Sequence, residues 1–219
     1  MSLYASSPDL RWVPLDTSSV ADLFASLSVR WWLSGGVALD RWLGRPIRER
    51  SNIDVSVVAG DLAQVVAELP STLSAWVQPA GALGAMVPFV DAPTDVDLQP
   101  VLIRDDEKDA WVLQINVEDG TRDSWVYKRD PRLRLPWERA VIQIDRVPTG
   151  VPEVQLVWKA LRPRSEDDVD RNAVIPYLSE EAINWYERAI LSVHPHSNWS
   201  IHVRSPLTPA KASWDRKKR

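Results

Sequence analysis

The spacing of apolar residues along the chain predicts a mixture of helices and strands. Val20, Leu23 and Leu27 recur at helical spacing. Asp16 or Thr17 can cap the helix that these residues define. Short runs of β-branched and aromatic residues between turn residues predict strands. In this part of the chain the predicted helices are 17–27, 35–43 and 62–69, and the predicted strands are 31–33, 53–58, 76–77, 85–90, 96–103, 110–117, 124–127 and 141–147.

Helical periodicity replaces the strand pattern in the last third of the chain. Pro152 stands at the first position of a predicted helix, where proline is best tolerated. Ser165 and Ser179 are predicted to cap two further helices that carry acidic residues in their first turns. We therefore expect an α+β domain over residues 1–149, followed by a helical C-terminal domain with a basic tail over residues 150–219.

The composition is typical of a globular protein. Of the 219 residues, 45% are hydrophobic and 26% are charged, and the absence of cysteine excludes a disulfide framework. A net charge of −4 with mixed signs argues against a nucleic-acid partner, although residues 215–219 are basic. No apolar run reaches the length of a membrane span, and the first residues lack a signal-peptide pattern. We expect a cytoplasmic protein without a membrane partner.

Two glycines follow the first predicted strand. The segment Ser34-Gly35-Gly36 opens the next predicted helix, and a helix N-terminus favours a phosphate through its free N–H groups and its dipole. Neither the dinucleotide-binding nor the P-loop glycine pattern occurs there. A tight turn between strand and helix remains the alternative to a phosphate-binding loop.

Two acidic residues lie in predicted strands further along the chain. Asp54 lies in the strand 53–58 and Asp97 in the strand 96–103. If these strands are neighbours, both carboxylates can hold Mg²⁺ against the phosphates of a nucleoside triphosphate, and one can accept a proton from a hydroxyl. Asn52 occupies the position where a further carboxylate would be expected. The alternative is that both aspartates are surface residues next to turns.

Basic residues form two clusters that are each able to neutralise a triphosphate. The alternative for both clusters is a solvated helix face. Lys159 differs from the others because it lies among apolar neighbours, where a single ammonium group is unusual. The first cluster contains Arg41, Arg45, Arg48 and Arg50, and the second contains Lys159, Arg162 and Arg164.

The succession of motifs resembles the aminoglycoside and lincosamide nucleotidyltransferases. Residues 32–54 read WLSGGVALDRWLGRPIRERSNID, similar to the family segment W(V/L)xGGxAxDxxLGRxxRxHxDID. The resemblance extends over about residues 12–199. Later family motifs follow in order as VDLQP at 96–100, PEVQLVWKA at 152–160, RSEDDVD at 164–170 and HPHSNW at 194–199.

This resemblance implies a polymerase-β-like nucleotidyltransferase fold, with a mixed sheet, flanking helices and a small C-terminal helical unit. Such enzymes hold Mg²⁺ and ATP or another nucleoside triphosphate, and they transfer the nucleoside monophosphate to a hydroxyl of a small molecule. Position by position, the catalytic carboxylates of the family match Asp54 and Asp97, and its metal positions match Asn52, Asp54 and Asp97. The positions expected to face the nucleotide are Ser34, Gly35, Gly36, Arg50 and Lys159.

Three residues depart from the family pattern. Asn52 replaces a metal carboxylate, Arg50 replaces a histidine and Glu166 replaces a lysine. A neutral amide binds Mg²⁺ more weakly than a carboxylate does, while Arg50 is itself able to hold a phosphate. We therefore expect either a nucleotidyltransferase that acts on a small hydroxylated acceptor with a weakened metal site, or an inactive relative that binds a nucleotide or small ligand without turnover.

Overall fold

The computed structural model describes residues 5–6, 11–78, 85–89 and 100–204. The predicted site residue Asp97 lies outside these residues, so its position stays a prediction. Within the described ranges, no helix is long and apolar enough to cross a membrane.

A mixed β-sheet forms the centre of the described structure. Its strands are β1 (Ala5–Ser6), β2 (Trp31–Ser34), β3 (Asp54–Val58), β4 (Leu73–Val77), β5 (Ala85–Pro88), β6 (Val101–Asp105), β7 (Ala110–Gly120), β8 (Ser124–Val126), β9 (Arg134–Pro136), β10 (Val141–Ile144) and β11 (Val147–Gly150). The strand order is β1-β5-β4-β6-β7-β3-β2-β11-β10, and β8 pairs with β7 and β9. The β3–β7 and β2–β11 pairs are parallel, whereas β2 and β3 are antiparallel.

Eight helices flank the sheet in the described residues. They are α1 (Thr17–Phe24), α2 (Gly35–Leu43), α3 (Leu62–Ala67), α4 (Trp137–Ala140), α5 (Pro152–Lys159), α6 (Ser165–Val174), α7 (Glu180–Val193) and α8 (Asn198–Arg204). The predicted mixed α+β class is therefore confirmed.

Two hydrophobic clusters cover the two faces of the sheet, as the alternation along β2 shows. Leu33 belongs to the cluster that includes Val20 and Phe24 of α1, whereas the adjacent Trp32 belongs to the cluster that includes Leu39 of α2. Successive side chains of a strand point to opposite faces, so β2 contributes to both cores. The helices α5 and α7 pack on the Trp32 side.

Local sequence signals set several helix ends as predicted. Asp16 caps α1 by accepting a hydrogen bond from Ser19 N, and Ser179 caps α7 by accepting one from Ala182 N. Gly44 ends α2 with a φ of 68°, a left-handed conformation that glycine adopts without steric cost.

Several predicted bounds differ from the structure by a few residues, and two larger differences have a local cause. The single strand predicted over 141–147 is instead a hairpin of β10 and β11, which turns at Asp145 and Arg146 with φ values of 49° and 65°. The cap of α6 is Arg164 rather than Ser165, because the side chain of Asp167 accepts a hydrogen bond from the Arg164 backbone N–H.

The strand register places two predicted site residues, Ser34 and Asp54, next to each other at the ends of neighbouring strands. Ser34, the last residue of β2, lies opposite Asp54, the first residue of β3. Asp54 in turn lies opposite Gln114 of β7. Since α2 begins directly after Ser34, its N-terminus starts beside Asp54.

Candidate functional site

A pocket of about 360 Å³ opens where β2 and β3 meet the start of α2. Ser34, Gly35 and Asp54 line it. Lys159 at the end of α5 and Arg162 after it line the same pocket. The fold therefore brings together residues that lie more than a hundred positions apart in the sequence.

Gly35 is the point where the chain passes closest to Asp54. Its φ of 61° lies in the left-handed region, and a Cβ built on it would lie 3.0 Å from the carboxyl carbon of Asp54 and closer still to Oδ2. The Gly35 N–H donates to Oε1 of Gln155 at 2.8 Å. Both the backbone conformation and the space beside Asp54 thus require glycine here.

Asp54 is bonded to the residue that stands in place of a carboxylate. The side-chain nitrogen of Asn52 donates to Asp54 Oδ1 at 2.8 Å. Burial raises the pKa of Asp54 to about 6, although the nearby charges of Lys159, Arg164 and Arg50 act in the opposite direction. The carboxylate is therefore held in a poorly hydrated position with one oxygen already occupied.

Arg50 and Gly36 are not among the residues that line the pocket. The guanidinium of Arg50 donates from Nη2 to Asp40 Oδ1 at 2.6 Å and from Nη1 to Asp170 Oδ1 at 2.8 Å. A Cβ on Gly36 would lie 2.6 Å from Cζ of Arg50, so this glycine makes room for the guanidinium. Asp170 also accepts two hydrogen bonds from Arg48 at 3.1 Å. A nucleotide role of Arg50 stays a prediction, and its contacts hold α2 to α6.

Lys159 connects this group of charges to the pocket. Its Nζ lies 2.6 Å from Asp167 Oδ1 and 3.1 Å from Asp170 Oδ2. Burial opposes the ionisation of Asp167, but hydrogen bonds from Arg164 and Lys159 hold its pKa at about 2. We call the linked charges the ion-pair network; its members are Asp40, Arg48, Arg50, Lys159, Arg164, Asp167 and Asp170.

The second basic cluster, rather than the first, lines the pocket. Arg162 and Arg164 are lining residues together with Lys128 and Arg129, which sequence reasoning missed. Arg129 and Arg162 are exposed and make no ion pair with another residue of the described ranges. These side chains give the pocket an excess of positive charge.

A buried carboxylate of β7 also reaches the pocket. Glu118 accepts hydrogen bonds from Ser56 Oγ at 2.6 Å, from Trp158 Nε1 at 3.1 Å and from Trp125 Nε1. Burial raises the pKa of Glu118, and these hydrogen bonds oppose the rise. The alternation of polar residues Gln114, Asn116 and Glu118 was the signal in the sequence, because it marks one polar face of an otherwise apolar strand.

Gln155 is a second pocket residue that sequence reasoning missed. It is buried, and its Oε1 accepts the hydrogen bond from the Gly35 N–H. Its Nε2 has no hydrogen-bond partner among residues 11–78 and 100–204. Asn116 supports the neighbouring wall by donating to Ser34 Oγ at 3.2 Å. The Ser34 side chain makes no capping hydrogen bond to α2.

The described residues do not fit the two-carboxylate magnesium site that the family implies. Asp54 is accompanied by the Asn52 amide, which presents its nitrogen and not its oxygen to the carboxylate. No group of three His, Cys, Asp or Glu side chains within the described residues is arranged to hold a metal ion. An octahedral Mg²⁺ requires oxygen ligands, which this donor set supplies only in part.

Comparison with known proteins places the chain in a family. The Aminoglycoside-2''-adenylyltransferase family profile matches residues 16–148. No curated protein sequence gives a significant match.

Solved structures show similar chains at low sequence identity. The lincosamide antibiotic adenylyltransferase LnuA, solved with lincomycin bound, is 16% identical with a TM-score of 0.51, covering 76% of this chain and 100% of that chain. ANT(2'')-Ia in complex with adenylyl-2''-tobramycin is 14% identical with a TM-score of 0.43, covering 86% and 92%. An antigenic nucleotidyltransferase-like protein from Paracoccidioides brasiliensis is 16% identical with a TM-score of 0.42, covering 88% and 95%.

The likeness to LnuA shows a shared nucleotidyltransferase fold. At 16% identity it carries no conclusion about the reaction, because one fold can host different functions. The profile match covers more than half of the chain and confirms the resemblance that the motifs carry. The protein is thus a member of the aminoglycoside-2''-adenylyltransferase family.

Proposed function

We propose that the protein is a nucleotidyltransferase that transfers a nucleoside monophosphate, AMP in the first instance, from a nucleoside triphosphate to a hydroxyl of a small molecule. The observation that carries this proposal is the position of Asp54 beside Gly35 in a pocket that basic side chains also line. Antibiotics with hydroxyl groups are the first acceptors to test, because the family profile is that of an aminoglycoside adenylyltransferase.

The pocket supplies what a polyphosphate needs. The start of α2 presents a helix N-terminus whose capping position, Ser34, does not use its side chain as a cap. Lys159 and Arg162 line the same pocket with positive charge. A phosphate chain in the pocket would be stabilised by the helix N-terminus and by these side chains.

The proposed reaction is a substitution at the α-phosphorus. A bond forms between the acceptor oxygen and this phosphorus, the bond to the bridging oxygen breaks, and pyrophosphate leaves with the electron pair. The acceptor hydroxyl gives its proton to a carboxylate, and Asp54 and Asp97 are the proposed catalytic carboxylates. Pro100, three residues after Asp97, lines the pocket, which supports this pairing.

Aromatic and polar side chains are available for the acceptor. Trp158 lines the pocket, and its indole is held by Glu118 and packs on Tyr127 with ring centroids 4.6 Å apart. A fixed aromatic face beside polar groups suits a ring-shaped molecule that also carries hydroxyls.

The test is a pyrophosphate-release assay on the full chain. ATP, GTP, CTP and UTP are each combined with a panel of hydroxylated antibiotics and simple sugars, and products are identified by mass spectrometry. We expect pyrophosphate release with at least one pair and an acceptor mass increased by one nucleoside monophosphate. The Asp54→Ala variant is expected to lose this activity.

A second candidate is a relative that binds nucleotide without turnover. The observation in its favour is the Asn52–Asp54 hydrogen bond, in which a neutral amide stands at a position where the family has a metal carboxylate. Nucleotide binding by calorimetry without pyrophosphate release over the whole panel would favour this candidate over the transferase.

A further inference from the structure

The charges that line the pocket are unbalanced in favour of cations. Five basic side chains of the described residues line it: Lys128, Arg129, Lys159, Arg162 and Arg164. Three acidic side chains of the same ranges line it: Asp54, Glu118 and Asp167. A site that takes a triphosphate together with a divalent ion also needs carboxylates that hold the ion.

Each of the three carboxylates is already bonded to protein donors. Asp54 Oδ1 accepts from Asn52, and Asp54 Oδ2 lies against Gly35. Glu118 accepts from Ser56 and two indoles. Asp167 accepts from Lys159 at 2.6 Å and from Arg164 at 3.1 Å. In the part of the chain that the structure describes, each pocket carboxylate therefore has at least one oxygen already engaged by the protein.

Some of the basic side chains are uncommitted. Arg129 and Arg162 are exposed at the pocket and make no hydrogen bond or ion pair with the described residues. A guanidinium presents its N–H groups in a planar fork that matches two phosphate oxygens. In addition, its charge is present at every physiological pH.

Resting on the proposed nucleotide site, we infer that the pocket binds a nucleoside triphosphate as the metal-free polyanion, with Arg129, Lys159 and Arg162 supplying the positive charge that a divalent ion supplies elsewhere. The substitution of Asn52 for a carboxylate then has a physical consequence. Asn52 lacks the negative charge that would repel a free triphosphate, and its amide donates a hydrogen bond to Asp54. Excess Mg²⁺ lowers the charge of the nucleotide and competes with the arginines for it.

The first experiment is an ATP titration of the full chain by isothermal calorimetry, once in EDTA and once in excess MgCl₂. We expect the affinity in EDTA to equal or exceed the affinity in MgCl₂. Binding that is more than threefold weaker in EDTA overturns this inference and leaves the proposed nucleotide site standing. An absence of binding under both conditions overturns the nucleotide site itself and the inference with it.

The second experiment uses Asn52→Asp, with Asn184→Asp as the matched control. Both changes add one negative charge, but Asn184 lies on an exposed part of α7 away from the lining residues. For Asn52→Asp we expect weaker ATP binding in EDTA and a gain of about tenfold or more on adding Mg²⁺, while the control keeps the wild-type response. An Asn52→Asp protein with the wild-type response to Mg²⁺ contradicts the role given to Asn52.

The third experiment compares Arg162→Gln with Arg122→Gln in EDTA. Both arginines are exposed, but only Arg162 lines the pocket. We expect ATP and inorganic pyrophosphate to bind about fivefold to tenfold more weakly to Arg162→Gln, as for the loss of one charge-assisted contact, and unchanged to Arg122→Gln. Equal affinities of the two variants would remove Arg162 from the phosphate site.

Discussion

The two charged regions on either side of the start of α2 differ in how completely their charges are paired. Behind α2, the ion-pair network surrounds the fully buried Asp170 with Arg48, Arg50 and Lys159. In front of α2, the pocket carries Asp54 with one amide partner and Arg162 with no ion pair among the described residues. The same residue types are therefore fully paired in the network and only partly paired at the pocket.

This difference indicates that the network stabilises the fold, whereas the pocket is suited to binding a ligand. A buried charge must be paired, because its desolvation otherwise costs several kcal/mol. The network meets that condition and joins α2, α5 and α6. The pocket meets it only in part, and charges that remain unpaired beside a cavity indicate a ligand of opposite sign. Lys159 belongs to both regions and couples them.

The largest expected effect comes from breaking the network. Asp170→Asn leaves Arg48, Arg50 and Lys159 without their shared carboxylate, and we expect the free energy of unfolding to fall by about 3 to 5 kcal/mol. Urea unfolding followed by circular dichroism measures this change. Asp145→Asn is the control, because Asp145 pairs with Arg41 at 3.5 Å while its side chain is 89% exposed, and we expect less than about 0.5 kcal/mol there. Equal effects of the two changes would show that the network does not stabilise the fold.

The next effect separates backbone strain from the contact with Asp54. Gly35 and Gly44 have φ values of 61° and 68°, but only Gly35 has atoms in the space that a Cβ would fill. We expect Gly44→Ala to lower the free energy of unfolding by about 1 kcal/mol through strain alone. Gly35→Ala is expected to cost about 2 to 4 kcal/mol and to weaken ATP binding as well. Matching losses in both variants would contradict the close packing of Gly35 on Asp54.

A smaller effect tests the burial of Asp54 through pH. The pKa of an aspartate is about 3.8 in the unfolded chain and about 6 in the folded one, so the folded state binds the extra proton between these values. Stability contributed by this group is therefore lost as pH rises from about 4 to 6, and at pH 8 the ionised carboxylate costs up to about 3 kcal/mol.

Asp54→Asn removes that cost. We expect the variant to be more stable than the wild type at pH 8, by about 1 to 3 kcal/mol, and to lose this advantage at pH 4. Urea unfolding at both pH values provides the measurement. A variant that is less stable than the wild type at pH 8 would mean that Asp54 contributes to the fold and is not held there at a cost.

Local chemistry explains which parts of the fold were predictable. The bounds of α2 follow from Gly35 and Gly44, and the starts of α1 and α7 follow from the caps Asp16 and Ser179. The hairpin of β10 and β11 was missed because Asp145 and Arg146 adopt positive φ without a glycine to signal the turn. Its pairing with β2 is a long-range contact that no local pattern contains.

The site was predictable in its types of residue but not in their partners. Ser34, Gly35, Asp54 and Lys159 line one pocket, in agreement with their expected proximity. The two basic clusters looked equivalent in sequence, and only the tertiary fold sends Arg50 to Asp40 and Asp170 while leaving Arg162 at the pocket. Asp97 remains a prediction.

A crystal structure of the full chain with a non-hydrolysable ATP analogue, prepared in EDTA, shows directly where the phosphates bind. We expect phosphate density between the first turn of α2 and the side chains of Lys159 and Arg162, with the ion-pair network intact. Phosphate density at any other surface, or at Arg50 after displacement of Asp170, would contradict this expectation.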